Sequence, residues 1–362
     1  MGNEMKFFYI PILTILLCAL MSGCMKWEVA SEEEFDFSPR GLYILNEGNF
    51  QYGNASLSFY NPATMEVTAD VFSRANGMKL GDVAQSMTIE GATGWIAVNN
   101  SHVVFRIDLT TGRETGRIEN LPSPREVCII SPTKAYVSQL WDNRIIIINP
   151  STMAVTGEIE IPGMSATSGS TEQMIFSNGY VYCNCWSYQT DILKIDTATD
   201  AVVSRLNVGV QPQSIALDAR GRLWVLTDGG YVGNPIGNET PALVEVDPVT
   251  MTIIRRMEMG PSDTPRQLTL GPDGTTLYWI NRDIYRMAVD DTTLPSTPFI
   301  PGRGTIYYGL TVDPVEGDVY VADAIDYQQP GMIYRYDARG VEIDRFRAGI
   351  TPGAFAWKGA TR

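Results

Sequence analysis

The residues of this chain that could do chemistry are few, and their spacing excludes more than it supports. There is one histidine, His102, preceded by Ser101. Any Ser-His-Asp or Cys-His system would have to use it, and no nucleophile elbow surrounds it. It reads as a polar loop residue. A histidine-rich metal site is excluded by count. Cys128, Cys183 and Cys185 sit in strand-like segments, and the last two, two residues apart, face the same way. Their spacing is neither CxxC nor a zinc knuckle, so they read as small buried thiols without a disulfide framework. Carboxylates at loop ends, namely Glu126, Glu172, Asp228, Asp263, Asp323 and Asp326, lack EF-hand spacing and read first as solvated caps. Arg125, Arg266 and Arg303 could donate to a ligand, with ion pairing as their default role. No phosphate loop or dinucleotide fingerprint is present. The expectation is a non-enzymatic protein with no catalytic residue, no bound metal and no cofactor.

Positioning comes from a repeat. A short strand with a central aromatic recurs at Tyr43, Trp95, Tyr136, Tyr182, Trp224, Tyr278 and Tyr320, at steps of 41 to 54 residues. A second register repeats an Asx-x-x-Thr turn that begins at Asn61, Asp108, Asn149, Asp196 and Asp247. Asx at the first turn position, with Pro following in several copies, suits a type I turn. A β-rich unit with a period in the forties predicts propeller blades, and one blade cannot bury its own apolar face. The expected fold is therefore all-β: a seven-bladed β-propeller with four antiparallel strands per blade. Six inner strands precede the aromatic ones, and a seventh appears only at 352–357. The C-terminal strand should thus complete the N-terminal blade and close the ring.

With strands A to D running outward from the channel, A–B and C–D turns share one face. B–C loops and D-to-A crossovers share the other. The A–B turns are short and plain, whereas the B–C segments collect aromatics, amides and glycines at 46–53, 139–143, 184–189, 228–231 and 323–329. Aromatic loops where polarity would suffice predict a platform that stacks on a large, partly apolar ligand while amides bind its polar rim. The ligand-binding candidates are Phe50, Tyr52, Gln85, Arg125, Trp141, Glu172, Gln173, Trp186, Tyr188, Tyr231, Arg266, Asp326 and Tyr327.

The ends of the chain say where it works. Lys6 followed by an apolar stretch from Phe7 to Leu20 reads as a signal peptide too short to span a bilayer comfortably. Ser22-Gly23-Cys24 resembles a bacterial lipoprotein signal. It predicts a signal peptide at 1–23, a lipidated acidic linker at 24–40 with Cys24 as the lipid site, and the propeller at 41–362. An ordinary secretory signal with an incidental cysteine is the alternative. The run Glu32-Glu33-Glu34 serves as a solvated spacer, and resembles the acidic export tag of surface lipoproteins in Bacteroidota. A formal charge of -14 argues against nucleic acid as a partner. Without a polybasic patch, the lipid alone would hold the protein to a membrane.

Several segments together carry a family resemblance: Leu45-Asn46-Glu47-Gly48-Asn49-Phe50, residues 74–77 with 81–87, Gly169-Ser170-Thr171-Glu172-Gln173-Met174, Asn184-Cys185-Trp186-Ser187-Tyr188, residues 322–328 and residues 349–353. From about Gly41 to Trp357 the chain resembles the BtuG-type surface lipoproteins of gut Bacteroidota, which capture cobalamin (vitamin B12) on a YncE-like seven-bladed propeller. The resemblance implies an extracellular, outer-membrane-anchored protein. It would bind cobalamin and related corrinoids as ligand rather than cofactor, cap a TonB-dependent transporter and pass the vitamin to it. Two other classes remain open: a lactonase-like propeller hydrolase with a metal at the channel mouth, and a scaffold that binds a surface protein or glycan.

Overall fold

A computed structural model describes residue 35 and residues 37–359 of the chain. The calls on the signal peptide, Cys24 and the acidic run lie outside the described residues. Among those described, no helix is long and apolar enough to cross a membrane. The described residues form one compact unit. It contains seven antiparallel sheets, six of four strands and one of three. The three-stranded sheet is the sixth blade, Arg266–Leu270, Thr276–Asn281 and Asp283–Ala288. An isolated bridge from Ile284 to Ile300 lies where its fourth strand would run.

The ring closes as the inner-strand count requires. The C-terminal strand Pro352–Lys358 pairs antiparallel with Gly41–Asn46, aligning Tyr43 with Ala356 and Leu42 with Trp357. The first blade is thus built from both ends of the chain, and its inner edge is covered. The body begins a little before Gly41, because Phe37 is buried against Tyr43 and Phe59.

The two sequence registers are two halves of one contact between blades. The aromatics of the B strands are all buried, and several hold the Asx turn of the next blade. Tyr43 donates its hydroxyl to Leu109 O at 2.6 Å, beside the turn that Asp108 caps, and Tyr182 donates to Pro248 O at 3.1 Å. Each turn is closed by its Asx side chain: Asp108 Oδ1 accepts from Thr110 N at 2.8 Å, and Asp247 Oδ1 from Val249 N at 2.9 Å. A buried phenol needs a partner, and for Tyr43 and Tyr182 a turn carbonyl of the next blade supplies it.

Among the described residues, one α-helix accompanies the strands of this all-β fold. A short helix, Val71–Asn76, lies in the crossover from the first blade to the second and buries Val71, Phe72 and Ala75. It ends on Gly77 at φ 67, a left-handed conformation that glycine adopts without strain. The first blade's outer strand is only Glu66–Thr68, and the helix covers apolar surface that a longer strand would otherwise cover.

Candidate ligand-binding face

The antiparallel order places every B–C loop and every D-to-A crossover at one end of the ring. That end opens into a cavity of about 670 Å³ that continues down the central channel. Its wall is polar because the first residues of the inner strands point into it. Several inner strands also carry a register shift near this start, such as those after Ala84, Pro124 and Pro212. An extra residue at such a bulge re-aims side chains toward the channel.

Of the thirteen candidates, seven line this cavity: Gln85, Arg125, Glu172, Gln173, Trp186, Tyr231 and Arg266. Arg125, buried, donates from Nε to Glu172 Oε2 at 2.6 Å and from Nη1 to Gln85 Oε1. Glu172 also accepts from Ser170 Oγ at 2.9 Å. Trp186 Nε1 donates to Asp228 Oδ2 at 2.8 Å, and Gln211 Nε2 donates to the same carboxylate.

Five further candidates stand on the loops around the cavity rather than in its wall. Trp141 and Tyr188 come within 6.0 Å between ring centroids, and the Tyr188 and Tyr231 hydroxyls are 3.5 Å apart. These contacts join the B–C loops of the third, fourth and fifth blades into an aromatic arc. Trp141 is 45% exposed and Tyr231 52%, although apolar rings at such positions would be expected to seek burial. On the opposite side, Phe50 and Tyr52 project from the first-blade loop at 61% and 75% exposure. Tyr327 packs edge-on against Tyr308 at 5.6 Å, and its carbonyl accepts from Asn49 Nδ2. Asp326 is the exception. It accepts from the backbone N–H groups of Gln328 and Gln329, which hold its carboxyl below the usual range, so it caps its own loop.

Sequence reasoning passed over part of the wall. Gln213 and Gln267 occupy inner-strand positions near those of Gln85 and Gln173, so the repeat register could have found them. Glu47 and Tyr308 meet only because the first and seventh blades close on each other. The Tyr308 hydroxyl donates to Glu47 Oε2 at 3.1 Å, and a Cβ on Gly353 would stand 2.5 Å from Glu47 Oε1. Burial pushes the Glu47 carboxyl up to about 7, opposed by Arg125, the Tyr308 bond and Arg266. Burial raises Glu126 to about 7 as well, with the charge of Glu172 adding to it. Asp228 is raised by burial against the donors that hold it.

The remaining polar residues are structural. His102 is exposed and its Nδ1 lies 2.6 Å from Pro122 O. Arg303 pairs with Glu342. Asp263 accepts from Gly260 N at 2.7 Å, and Asp323 from Ile325 N at 2.8 Å. Cys128, Cys183 and Cys185 are free and buried, and burial pushes the Cys128 thiol up to about 12. Among the described residues, no three His, Cys, Asp or Glu side chains gather as metal ligands would.

A family described as "Domain of unknown function (DUF5074)" matches residues 40–348. The chain belongs to the DUF5074 family. No curated protein matches it. Solved structures similar to this DUF5074 protein share its fold at low identity. A quinonprotein alcohol dehydrogenase-like protein from Bacteroides thetaiotaomicron is 14% identical at a TM-score of 0.67, over 90% of this chain and 79% of that one. A protein titled "putative 6-phosphogluconolactonase" from Bacteroides fragilis is 14% identical at 0.65, over 88% and 98%. The dihydro-heme d1 dehydrogenase NirN, in complex with DHE, is 10% identical at 0.59, over 91% and 77%. At these identities the likeness is one of fold alone.

Proposed function

We propose that this DUF5074 protein is a surface lipoprotein that captures cobalamin and passes it to a TonB-dependent outer-membrane transporter. The observation that carries the reading is the arc Trp141–Tyr188–Tyr231 over a polar-walled cavity, with Phe50, Tyr52 and Tyr327 on the facing loops. Cobalamin has a wide corrin ring with a margin of amides. The exposed rings cover its apolar surface, and amides of the wall bond its polar margin. Because the loops stand on closed blades and touch one another, little ordering is needed on binding, which favours high affinity.

The strand polarity is consistent with a surface role. Gly41 starts its strand at the end of the ring opposite the B–C loops, so the chain enters the propeller away from the proposed ligand.

Calorimetry on soluble protein beginning just after Cys24 tests the proposal. Cobalamin should release or absorb heat and raise the melting temperature. No heat and no thermal protection would defeat it. Lactone hydrolysis together with bound metal would favour the hydrolase reading. Retention of an outer-membrane protein or glycan, with cobalamin inert, would favour the scaffold.

A further inference from the structure

The cavity wall contains two arginines, and they differ in one respect. Arg125 spends its guanidinium on Glu172 and Gln85. Arg266 also lines the cavity, but among the described residues no protein group accepts a hydrogen bond from it. Its contact is with the face of Tyr308, 5.7 Å from guanidinium carbon to ring centroid. Glu47 and Asp228 lie close enough to feel its charge, yet each is held by other donors: Glu47 by Tyr308, and Asp228 by Trp186, Gln211 and Gly230. A guanidinium offers five N–H donors in a planar fork, and ring stacking orients that fork without using any of them.

The neighbouring amides point the same way. Gln213 accepts from Gln267 N through Oε1 at 2.9 Å, and Gln173 accepts from Ile215 N through Oε1 at 2.9 Å. Each has spent its carbonyl on the backbone, which leaves the NH₂ group to face the cavity. The wall around Arg266 thus presents donors.

We infer that the channel beneath the aromatic rim holds a distinct subsite, centred on Arg266 and assisted by Gln213, for the oxyanion of a phosphodiester-bearing tail on the captured ligand. This inference rests on the capture reading above. In cobalamin the oxyanion is the phosphodiester of the nucleotide loop, which hangs from one side of the corrin. The rim takes the macrocycle and the channel takes the tail. Fork-to-phosphate bonding is bidentate and charge-assisted. Glu47 and Asp228 oppose a free anion here, so the subsite acts on a tail delivered by the macrocycle, at the high effective concentration that tethering gives.

The test compares cobalamin with cobinamide, which lacks the nucleotide loop, on native protein, Arg266→Met and Arg266→Lys. Native protein should prefer cobalamin by about ten- to a hundredfold, the value of one charge-assisted contact. Arg266→Met should reduce that preference to about twofold or less, leaving cobinamide affinity and the melting temperature nearly unchanged. Arg266→Lys, which keeps the charge but loses the fork, should fall between. Equal affinity of native protein for the two corrinoids, or equal loss of both in Arg266→Met, overturns the subsite while capture stands. If neither corrinoid binds, the capture reading fails. The subsite, which acts only on a tail that the macrocycle delivers, then falls with it.

Discussion

Arg125 Nε and Glu172 Oε2 meet at 2.6 Å across the joint between the third and fourth blades, and both side chains are buried. The same guanidinium reaches back to Gln85 of the second blade. One side chain therefore ties three inner strands together at the mouth of the channel. The cost of desolvating the pair is offset only while both partners are present.

Arg125→Met should accordingly destabilise the propeller by about 3–5 kcal/mol, the usual result of stranding one buried charge. The double variant Arg125→Met/Glu172→Gln should recover at least half of that loss, since no ion remains unpaired. Urea denaturation of the two variants and the native protein measures both. A single variant as stable as native protein would mean that channel water solvates Glu172 adequately.

Glu47 gives a pH dependence with a definite sign. Its folded-state value of about 7 lies above the ordinary 4.5, so the folded state holds a proton that the unfolded chain has already released. Stability from this group is complete below about 4.5 and falls as pH rises to about 7. Glu47→Gln keeps an acceptor for Tyr308 and removes the titration. The variant should match native protein near pH 4.5 and exceed it by about 1–3 kcal/mol at pH 8. Melting curves at the two pH values check this, and an unchanged difference between them would show that Glu47 ionises freely in the channel.

The rim and the wall should respond differently to truncation. Trp141 is half exposed and makes no hydrogen bond among those described, so Trp141→Ala should lower cobalamin affinity about tenfold or more with little change in melting temperature. Trp186→Phe keeps a ring but removes the donor to Asp228, whose carboxylate then loses one of the bonds that offset its burial. That variant should lose stability by about 1–3 kcal/mol, while affinity falls less than in Trp141→Ala. Calorimetry paired with thermal melts separates the two effects. Full affinity in Trp141→Ala would remove the aromatic arc from the binding surface.

The sequence alone determined the ring. Blade identity is a local property, since a buried aromatic and an Asx turn each declare themselves within a few residues. Seven copies with one missing inner strand left a single closure, by 352–357. The same logic assigned the B–C loops to one face, and with them Trp141, Trp186, Tyr188 and Tyr231. Only the tertiary structure decided what those residues face. Glu47, Tyr308 and Gly353 come from opposite ends of the chain and meet through closure, so no local pattern could pair them. Asp326 uses Oδ1 to accept from Gln328 N and Gln329 N of its own loop, a local role that its position in the sequence does not display. The helix at Val71–Asn76 was hidden because its three buried residues cover a neighbouring blade rather than repeating along the chain. The contrast between Arg125 and Arg266 was hidden for a related reason. Both begin inner strands, and which of them finds a carboxylate depends on distances across the channel, which are set by how the blades pack and not by any one blade's residues.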